Sequence, residues 1–243
     1  MKKIFVILII SPFFWTISAR AQTLSLIEKP KCIALTFDAC MTNGMLKTVK
    51  ANNEKSLFNS GIIAYLQKEK VPATIFITGL WAEEYPNAVK QISADPLFEI
   101  GNHSYSHRAF TNDCYSLPTI PDSDKQADIL KAQEIITRLT GMKPKLFRFP
   151  GGCYSPADQV LVKNMGLKVV GWTFPSGDAF NDNTDAIVEN VLHKARSGAI
   201  VVFHLSGDRY APKTLDAVLR IIPALKKQGY EFVTVSKLQG RLL

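Results

Sequence analysis

The chain has 243 residues and a formal net charge of +8, with 47% hydrophobic and 21% charged residues. This composition is ordinary for a globular protein, and the length is sufficient for a full hydrophobic core. The basic residues are scattered rather than clustered, which argues against a nucleic-acid-binding protein. The sequence contains no internal repeat and no low-complexity linker, so one domain of catalytic size is the simplest expectation.

The amino-terminal segment has the pattern of a secretory signal peptide. Two lysines precede a long apolar stretch, and Ala-Arg-Ala at 19–21 fits the small residues of a cleavage site. We therefore predict a signal peptide over 1–21 and a catalytic domain over 22–243. A retained membrane anchor is the alternative, which Pro12 and the cleavage site disfavour. No later segment is long and apolar enough to span a bilayer, so the predicted location is secreted or periplasmic.

Strands and helices alternate along the predicted catalytic domain. Apolar runs predict strands at 32–38, 73–79, 98–104, 145–152, 168–174 and 199–207, and the segment 230–238 closes the chain. Helical spacing predicts helices at 60–71, 81–95, 123–141, 156–166, 184–198 and 212–229. Ser123 and Gly141 are the expected N-cap and C-cap of one helix, and 42–59 is expected to form a rim loop. This alternation predicts an α/β fold with a parallel sheet, either open or closed into a barrel.

Ionisable side chains follow five of the predicted strands at the point where each strand ends. They are Asp38, His103, Arg148, Asp178 and His204. The carboxyl ends of parallel strands meet at one edge of the sheet, where α/β proteins build their active sites. This pattern favours an enzyme over a purely structural protein.

His103 and His107 are four residues apart, a spacing that lets two rings grip one metal ion from a helical turn. Ordinary core or surface histidines are the alternative for this pair alone. The chain lacks the H-E-x-x-H motif, which disfavours a zincin-type protease. Arg148 follows a run of apolar residues, and a guanidinium in such surroundings requires a carboxylate partner.

The four cysteines would meet an oxidising compartment after export. If 32–38 is a strand, Cys32 and Cys40 lie roughly 20 Å or more apart at about 3.3 Å per residue. A disulfide requires Cα atoms within about 7 Å, so we expect Cys32 to be a buried free thiol or to pair elsewhere. One disulfide is expected among Cys40, Cys114 and Cys153, and the pairing stays open.

Taken in chain order, five short motifs resemble those of the polysaccharide deacetylases of carbohydrate esterase family four. TFDAC at 36–40 is similar to T-F-D-D-G, HSYSH at 103–107 to H-[ST]-x-x-[HS], and RFPGG at 148–152 to R-x-P-x-G. GWTFPSGDAF at 171–180 loosely matches the segment that carries a further aspartate, and IVVFH at 200–204 resembles the last motif. The five motifs span nearly the whole predicted mature chain.

The resemblance implies a distorted (β/α) barrel with a divalent metal, most naturally Zn²⁺, in the groove at its top. It implies an exported hydrolase that removes N-acetyl groups from an N-acetylglucosamine-containing polysaccharide such as peptidoglycan or chitin. An O-acetyl polysaccharide esterase would use the same residues and is the alternative reaction. The implied partner is the polysaccharide substrate.

The resemblance also implies the roles of the site residues. His103 and His107 would hold the metal, Asp38 would be the general base, and Arg148 would orient that carboxylate. His204 would be the general acid that protonates the leaving amine.

Four further residues complete the predicted site. Asp178 would stabilise the charged form of His204. Gly152, Tyr154 and Trp172 are the predicted substrate-binding residues, through backbone donors of the turn and through aromatic faces that stack on sugar rings. Packing in the core or at the rim is the alternative for the two aromatic residues.

The first motif departs from the family pattern at Ala39, where the family carries the aspartate that is its third metal ligand. Water or Asp38 completing the shell is one alternative, and a Cys40 thiolate is the second. In the third, the chain has lost metal-dependent catalysis and keeps only glycan binding. We expect an active enzyme, because the acid and base residues are all present.

Overall fold

The structure, a computed structural model, describes residues 30–52 and 56–242, so the predicted signal peptide at 1–21 lies outside the described residues. The strands are β1 (Lys31–Ala39), β2 (Ala73–Ile77), β3 (Phe98–Asn102), β4 (Leu146–Phe147), β5 (Lys168–Val169), β6 (Phe174–Pro175), β7 (Ala199–His204) and β8 (Tyr230–Phe232). The α-helices are α1 (Asn43–Asn52), α2 (Ser60–Lys68), α3 (Gly79–Glu84), α4 (Pro86–Ala94), α5 (Lys125–Thr140), α6 (Pro156–Asn164), α7 (Thr184–Lys194), α8 (Thr214–Lys227) and α9 (Val235–Leu242).

The strands form a single sheet in the order β5-β4-β3-β2-β1-β7-β6, and β8 pairs with the first residues of β1. Every pairing within this sheet is parallel. The strands at both ends of the order are short, helices lie between most successive strands, and the sheet is curled into a partial barrel. The predicted parallel sheet is therefore confirmed.

Strand β1 is the centre of the fold, and its side chains alternate between two environments. Phe37, Ala39 and Met41 are fully buried in the main apolar cluster, which also takes side chains from the surrounding helices. Asp38, between them in sequence, bonds instead to Arg148 inside the sheet. The central strand therefore delivers a carboxylate to the site while its other face anchors the core.

Arg148 explains why the predicted strand at 168–174 is interrupted. Its guanidinium donates to the carbonyl oxygens of Val170 at 3.3 Å and Gly171 at 3.1 Å. Those carbonyls would otherwise need a neighbouring strand, because buried backbone acceptors are nearly always paired. The segment consequently consists of two short strands, β5 and β6, with a loop between them.

Two other predictions need correction, and the closing segment, for which no element was predicted, forms two. The segment 42–59, which was expected to be a loop, contains helix α1. Thr42 Oγ1 caps its first turn, 3.1 Å from the backbone nitrogen of Met45. A 3₁₀ turn at Asp122–Asp124 precedes α5, so Ser123 is not its N-cap, whereas Gly141 is its C-cap as predicted. The closing segment is a strand only over β8 and continues as helix α9.

A disulfide joins Cys114 to Cys153, with 6.0 Å between the two Cα atoms. Cys32 and Cys40 are free and buried, which confirms one bridge among the three predicted cysteines. Gly151 makes this bridge possible, because a Cβ there would lie 2.5 Å from the Cys114 sulfur and its φ is +62°. The bridge fastens a loop to the turn after β4, and we name that loop, 109–120, the rim loop.

Among the described residues, no helix has both the length and the apolar character needed to cross a membrane.

Candidate active site

The Asp38 carboxylate lies at the carboxyl end of β1, paired with Arg148. The two side chains are almost completely buried, and Nη1 of Arg148 donates to Oδ1 of Asp38 at 2.7 Å and to Thr36 Oγ1 at 2.8 Å. The guanidinium also lies over the Phe76 ring, 4.0 Å from its centroid. Arg148 is therefore held from several sides, and it fixes one oxygen of Asp38 while Oδ2 remains free of this contact.

His103 and His107 lie directly after β3, and both rings are buried. Nδ1 of His103 donates to the Arg148 carbonyl oxygen at 2.8 Å, which leaves its Nε2 as the nitrogen with a lone pair. That Nε2 has no hydrogen-bond partner and lies 3.6 Å from Oδ2 of Asp38. Burial lowers the pKa of both histidines, so both rings are neutral at pH 7.

The loop that carries the two histidines has an unusual backbone. Ser104 and His107 have φ values of +66° and +55°, a region that side chains other than glycine rarely adopt. The side chain of Asn102 accepts from the backbone nitrogen of Ser104 at 2.8 Å. Asp128 on α5 accepts from Ser106 Oγ at 2.7 Å and from its backbone nitrogen at 3.4 Å. These contacts hold the histidine loop in place.

Sequence reasoning missed Asp128. A carboxylate in the first turn of a helix is common for a different reason, its favourable interaction with the helix dipole. The sequence offered one indication of its role. Asp128 is next to the buried Ile129, so it lies near the buried side of α5, where it contacts the histidine loop.

Asp178 and His204 form the second charged pair of the site. Nδ1 of His204 donates to Oδ1 of Asp178 at 2.9 Å, and the backbone nitrogen of His204 donates to Oδ2 at 2.8 Å. Hydroxyls of Thr214 and Ser176 donate to the same carboxylate at 2.6 and 2.9 Å. Burial acts to lower the pKa of His204, but the Asp178 charge and hydrogen bond outweigh it and raise that pKa.

Cys40 joins the two histidines in a buried cluster. One ligand atom from each of Cys40, His103 and His107 lies within 4.8 Å of the others. Nδ1 of His107, like Nε2 of His103, is buried without a hydrogen-bond partner. Burial, with the nearby Asp38 and Asp178 charges, raises the pKa of the Cys40 thiol. Unpartnered ring nitrogens beside a thiol are a donor set that fits a divalent metal.

The cluster lies at the bottom of an open cleft of about 760 Å³. Cys40, His107 and His204 face this cleft, helix α1 and the rim loop form two of its walls, and Phe180 and Tyr210 line another. Tyr115 of the rim loop and Phe180 are 81% and 76% exposed, unusual values for such large side chains. The cleft therefore presents aromatic surface beside titratable groups.

The predicted substrate-binding residues lie at a second cavity, which Arg148 of the site also lines. Gly152, Tyr154 and Trp172 line a separate cavity of about 280 Å³ and not the larger cleft. Tyr154 stacks on Phe149 with 4.4 Å between ring centroids, and the Trp172 ring covers Gly152 so closely that a Cβ there would lie 2.4 Å away. Their role in substrate binding stays a prediction.

The aromatic residues of the cleft were missed because their signal is weak. Tyr115 and Phe180 lie in loops and Tyr210 ends a short 3₁₀ turn (Asp208–Tyr210), so none lies in an α-helix or strand in which periodicity predicts burial. Tyr115 and Phe180 also have positive φ values of +48° and +53°, a conformation that no sequence pattern announces. Position in the folded chain, rather than local sequence, brings them to the cleft.

Fold and site together define a class of protein. A curled parallel sheet brings the buried Asp38 carboxylate, the Asp178–His204 pair and a cluster that could hold a metal to one edge, which is an arrangement typical of a hydrolase.

Comparisons with known proteins identify the family. The family described as polysaccharide deacetylase matches residues 27–170 of this chain. A peptidoglycan-N-acetylglucosamine deacetylase from Bacillus cereus is 32% identical over 210 residues, covering 86% of this chain and 88% of that protein. The chain belongs to the polysaccharide deacetylase family, and the predicted family of hydrolases is confirmed. Some curated relatives are longer, and the chain spans 62% of one of them.

Solved structures confirm the distorted (β/α) barrel. A peptidoglycan N-acetylglucosamine deacetylase crystallised with a hydroxamate-type ligand superposes with a TM-score of 0.72 at 28% identity, covering 86% of this chain and 88% of that one. A CE4 family pseudoenzyme from Bacillus anthracis superposes with a TM-score of 0.69 at 25% identity, covering 86% and 66% of the two chains. The fold is thus shared by active and inactive members of the family.

Proposed function

We propose that this protein is an extracytoplasmic, metal-dependent hydrolase that removes N-acetyl groups from N-acetylglucosamine-containing polysaccharide, with peptidoglycan as the favoured substrate. The observation that carries the proposal is the pairing of Asp38 with His204 across strands β1 and β7. This register sets the proposed base and the proposed acid side by side, next to the histidine cluster. The names of the relatives supply the choice of peptidoglycan.

His103 and His107 are the residues that would hold the metal in this site, through the ring nitrogens that lack partners. A bound divalent metal would supply Lewis acidity that activates water and polarises the acetyl carbonyl. Asp38 would accept a proton from the attacking water at Oδ2, the oxygen that Arg148 does not contact. Arg148 would keep that carboxylate in one orientation.

His204 would complete the reaction. The amide nitrogen of the substrate leaves as an amine, so it must gain a proton when the carbon–nitrogen bond breaks. The raised pKa of His204 favours the charged form of its ring, and its Nδ1 is already engaged by Asp178. Nε2 would therefore deliver the proton, and the products would be acetate and the free amine.

Two observations support a location outside the cytoplasm. The Cys114–Cys153 disulfide is of a kind that persists in oxidising compartments. Relatives are named for peptidoglycan, a polymer of the cell wall.

Acetate release tests the proposal. Zn²⁺-loaded protein is incubated with N-acetylglucosamine oligomers and with peptidoglycan, and we expect Asp38→Asn and His204→Ala to lower the rate by about 10²–10⁴-fold. His193→Ala is the matched control, because His193 is exposed on α7 and should leave the rate unchanged. No acetate from either substrate, with the metal bound, would contradict the proposal.

A glycan-binding protein without catalysis is the second candidate, favoured by Ala39 and by the likeness to a family pseudoenzyme. It predicts saturable binding to peptidoglycan without acetate release. An O-acetyl esterase is the remaining alternative, and faster acetate release from acetylxylan than from the N-acetylated oligomers would favour it.

A further inference from the structure

We infer that Cys40 is the third protein ligand of the metal, so that this chain holds the ion with one thiolate and two imidazoles. The inference concerns the donor atoms alone and does not depend on which substrate, if any, is hydrolysed.

The path of β1 supports Cys40 over its neighbour. Ala39 has no donor atom, is fully buried, and shares the main apolar cluster with Phe37 and Met41. Cys40 follows directly after β1, and its sulfur lies beside the two histidine rings. Cys40, and not Ala39, therefore directs a donor atom into the site.

The position of the sulfur relative to the two rings is the second argument. The three donor atoms lie within 4.8 Å of one another. A tetrahedral Zn²⁺ with one sulfur at about 2.3 Å and nitrogens at about 2.0–2.1 Å needs donors about 3.4–3.6 Å apart. The donor atoms of Cys40, His103 and His107 are therefore near the spacing that such an ion requires.

The unpartnered nitrogens are the third argument, and they are independent of the cysteine. Nε2 of His103 and Nδ1 of His107 are buried without a hydrogen bond. Native proteins leave few such groups, because each one loses its solvation without compensation. Nδ1 of His103 is bonded to the Arg148 carbonyl, so only its Nε2 is available to a ligand.

Cys40 is also free to bind. The disulfide uses Cys114 and Cys153, which leaves Cys40 unpaired with another cysteine. The other free thiol, Cys32, lies at the start of β1 beside Arg241, at the opposite end of the strand. A sulfur ligand detected on the metal is thus assigned to Cys40.

A thiolate changes which metal the site prefers. Sulfur is a soft donor that favours zinc-type ions over Mg²⁺, Ca²⁺ and Mn²⁺, which prefer oxygen. Binding at such a site releases the thiol proton, since only the thiolate is a ligand. We therefore expect one proton to be released for each metal bound at neutral pH.

X-ray absorption at the zinc edge of the untagged wild-type protein tests the inference without any substitution. We expect one sulfur at about 2.3 Å in the first shell, together with nitrogen or oxygen neighbours at about 2.0–2.1 Å. A shell containing only nitrogen and oxygen would overturn the inference. Failure of the protein to bind Zn²⁺ at all would overturn it too.

Cobalt substitution provides the second measurement. Co²⁺-loaded wild type should show an intense sulfur-to-cobalt charge-transfer band in the near ultraviolet. Cys40→Ser should lose the band and weaken Zn²⁺ binding by more than about 100-fold, a larger loss than an outer partner of a ligand causes. Cys32→Ser, the matched control at the other free thiol, should keep both properties.

The outcome can be separated from that of the proposed function. A sulfur-bound metal in a protein that releases no acetate would support the thiolate site and refute the deacetylase. Acetate release from a protein whose metal has no sulfur neighbour would support the deacetylase and refute the thiolate site. If Cys40→Ser does not fold, the absorption spectrum of the wild type still decides.

Discussion

The Asp178 carboxylate accepts four hydrogen bonds. Its two oxygens accept from Ser176, Thr214 and both the ring and the backbone nitrogen of His204. A buried carboxylate is stable only when paired in this way, and the four donors leave it no freedom to turn. The consequence for His204 is a fixed ring whose charged form is favoured.

Replacing Asp178 by Asn tests this consequence through the pH dependence of the rate. The acid must be protonated, so the rate falls as pH rises through the pKa of His204, which Asp178 holds above its ordinary value. Without the carboxylate that pKa falls, and the alkaline limb of the kcat/KM profile should move to lower pH. Thr214→Val, which keeps the charge and removes one hydrogen bond, should move the limb less.

The raised pKa of His204 also makes the stability of the fold depend on pH. A histidine with a raised pKa in the folded state stabilises the fold at pH values below its unfolded pKa, and this contribution disappears as pH rises through the folded pKa. In urea unfolding, the difference in stability between wild type and Asp178→Asn should therefore shrink as the solution is made alkaline. An unchanged difference across that range would argue against the His204 charge.

Helix α5 supports the cluster of Cys40, His103 and His107, although none of its own residues belongs to that cluster. Its Asp128 holds Ser106, and its Gln133 and Ile129 hold Asn102, which in turn fixes the histidine loop. The positive φ values of that loop are costly unless surrounding contacts compensate. We conclude that α5 helps to hold the histidine loop in the conformation that the cluster requires.

Removing the Asp128 contact should weaken the metal site without unfolding the chain. We expect Asp128→Asn to reduce Zn²⁺ affinity by about 10–100-fold, the usual effect of an outer partner of a metal ligand. Competition with a chromogenic chelator measures the affinity. Asp124→Asn, an exposed change at the start of the same helix, is the control, and equal affinities of the two variants would refute the role of Asp128.

Some features of the helices and strands could be predicted from the local sequence, and others could not. Strand ends were predictable, because Asp38 and His204 follow apolar runs long enough to identify a buried strand. Helix α1 was not, although Met45, Leu46 and Val49 face the core at helical spacing, because Asn43 and Gly44 at its start are typical of a turn. Likewise, the break after β5 depends on Arg148, which is distant in sequence.

At the scale of the whole molecule, the cleft above the cluster and the smaller cavity beside Arg148 suggest different uses. Tyr115 and Phe180, at the cleft, are 81% and 76% exposed, whereas Tyr154, at the smaller cavity, is 41% exposed and stacks on Phe149. Aromatic faces that remain exposed are suited to stacking on sugar rings. The long polymer would then lie in the large cleft, above Cys40 and the histidines.

Alanine substitution distinguishes the two pairs. Tyr115→Ala and Phe180→Ala should each raise KM for an oligosaccharide by about 2–10-fold with little change in kcat, the scale of a lost aromatic contact. Tyr154→Ala and Trp172→Ala, at the smaller cavity, test the residues predicted from the sequence. A larger rise in KM for this second pair would place the substrate there instead.

The Cys114–Cys153 bridge has a consequence for anyone preparing this protein. It ties down the loop that carries Tyr115, while Cys40, in the same cleft, has to stay reduced to bind a metal. A dithiol added to protect Cys40 would cut the bridge and compete for zinc, and an oxidant added to keep the bridge would threaten Cys40. Purification without added thiol, under inert gas and with zinc present, is the condition that preserves both sulfur states.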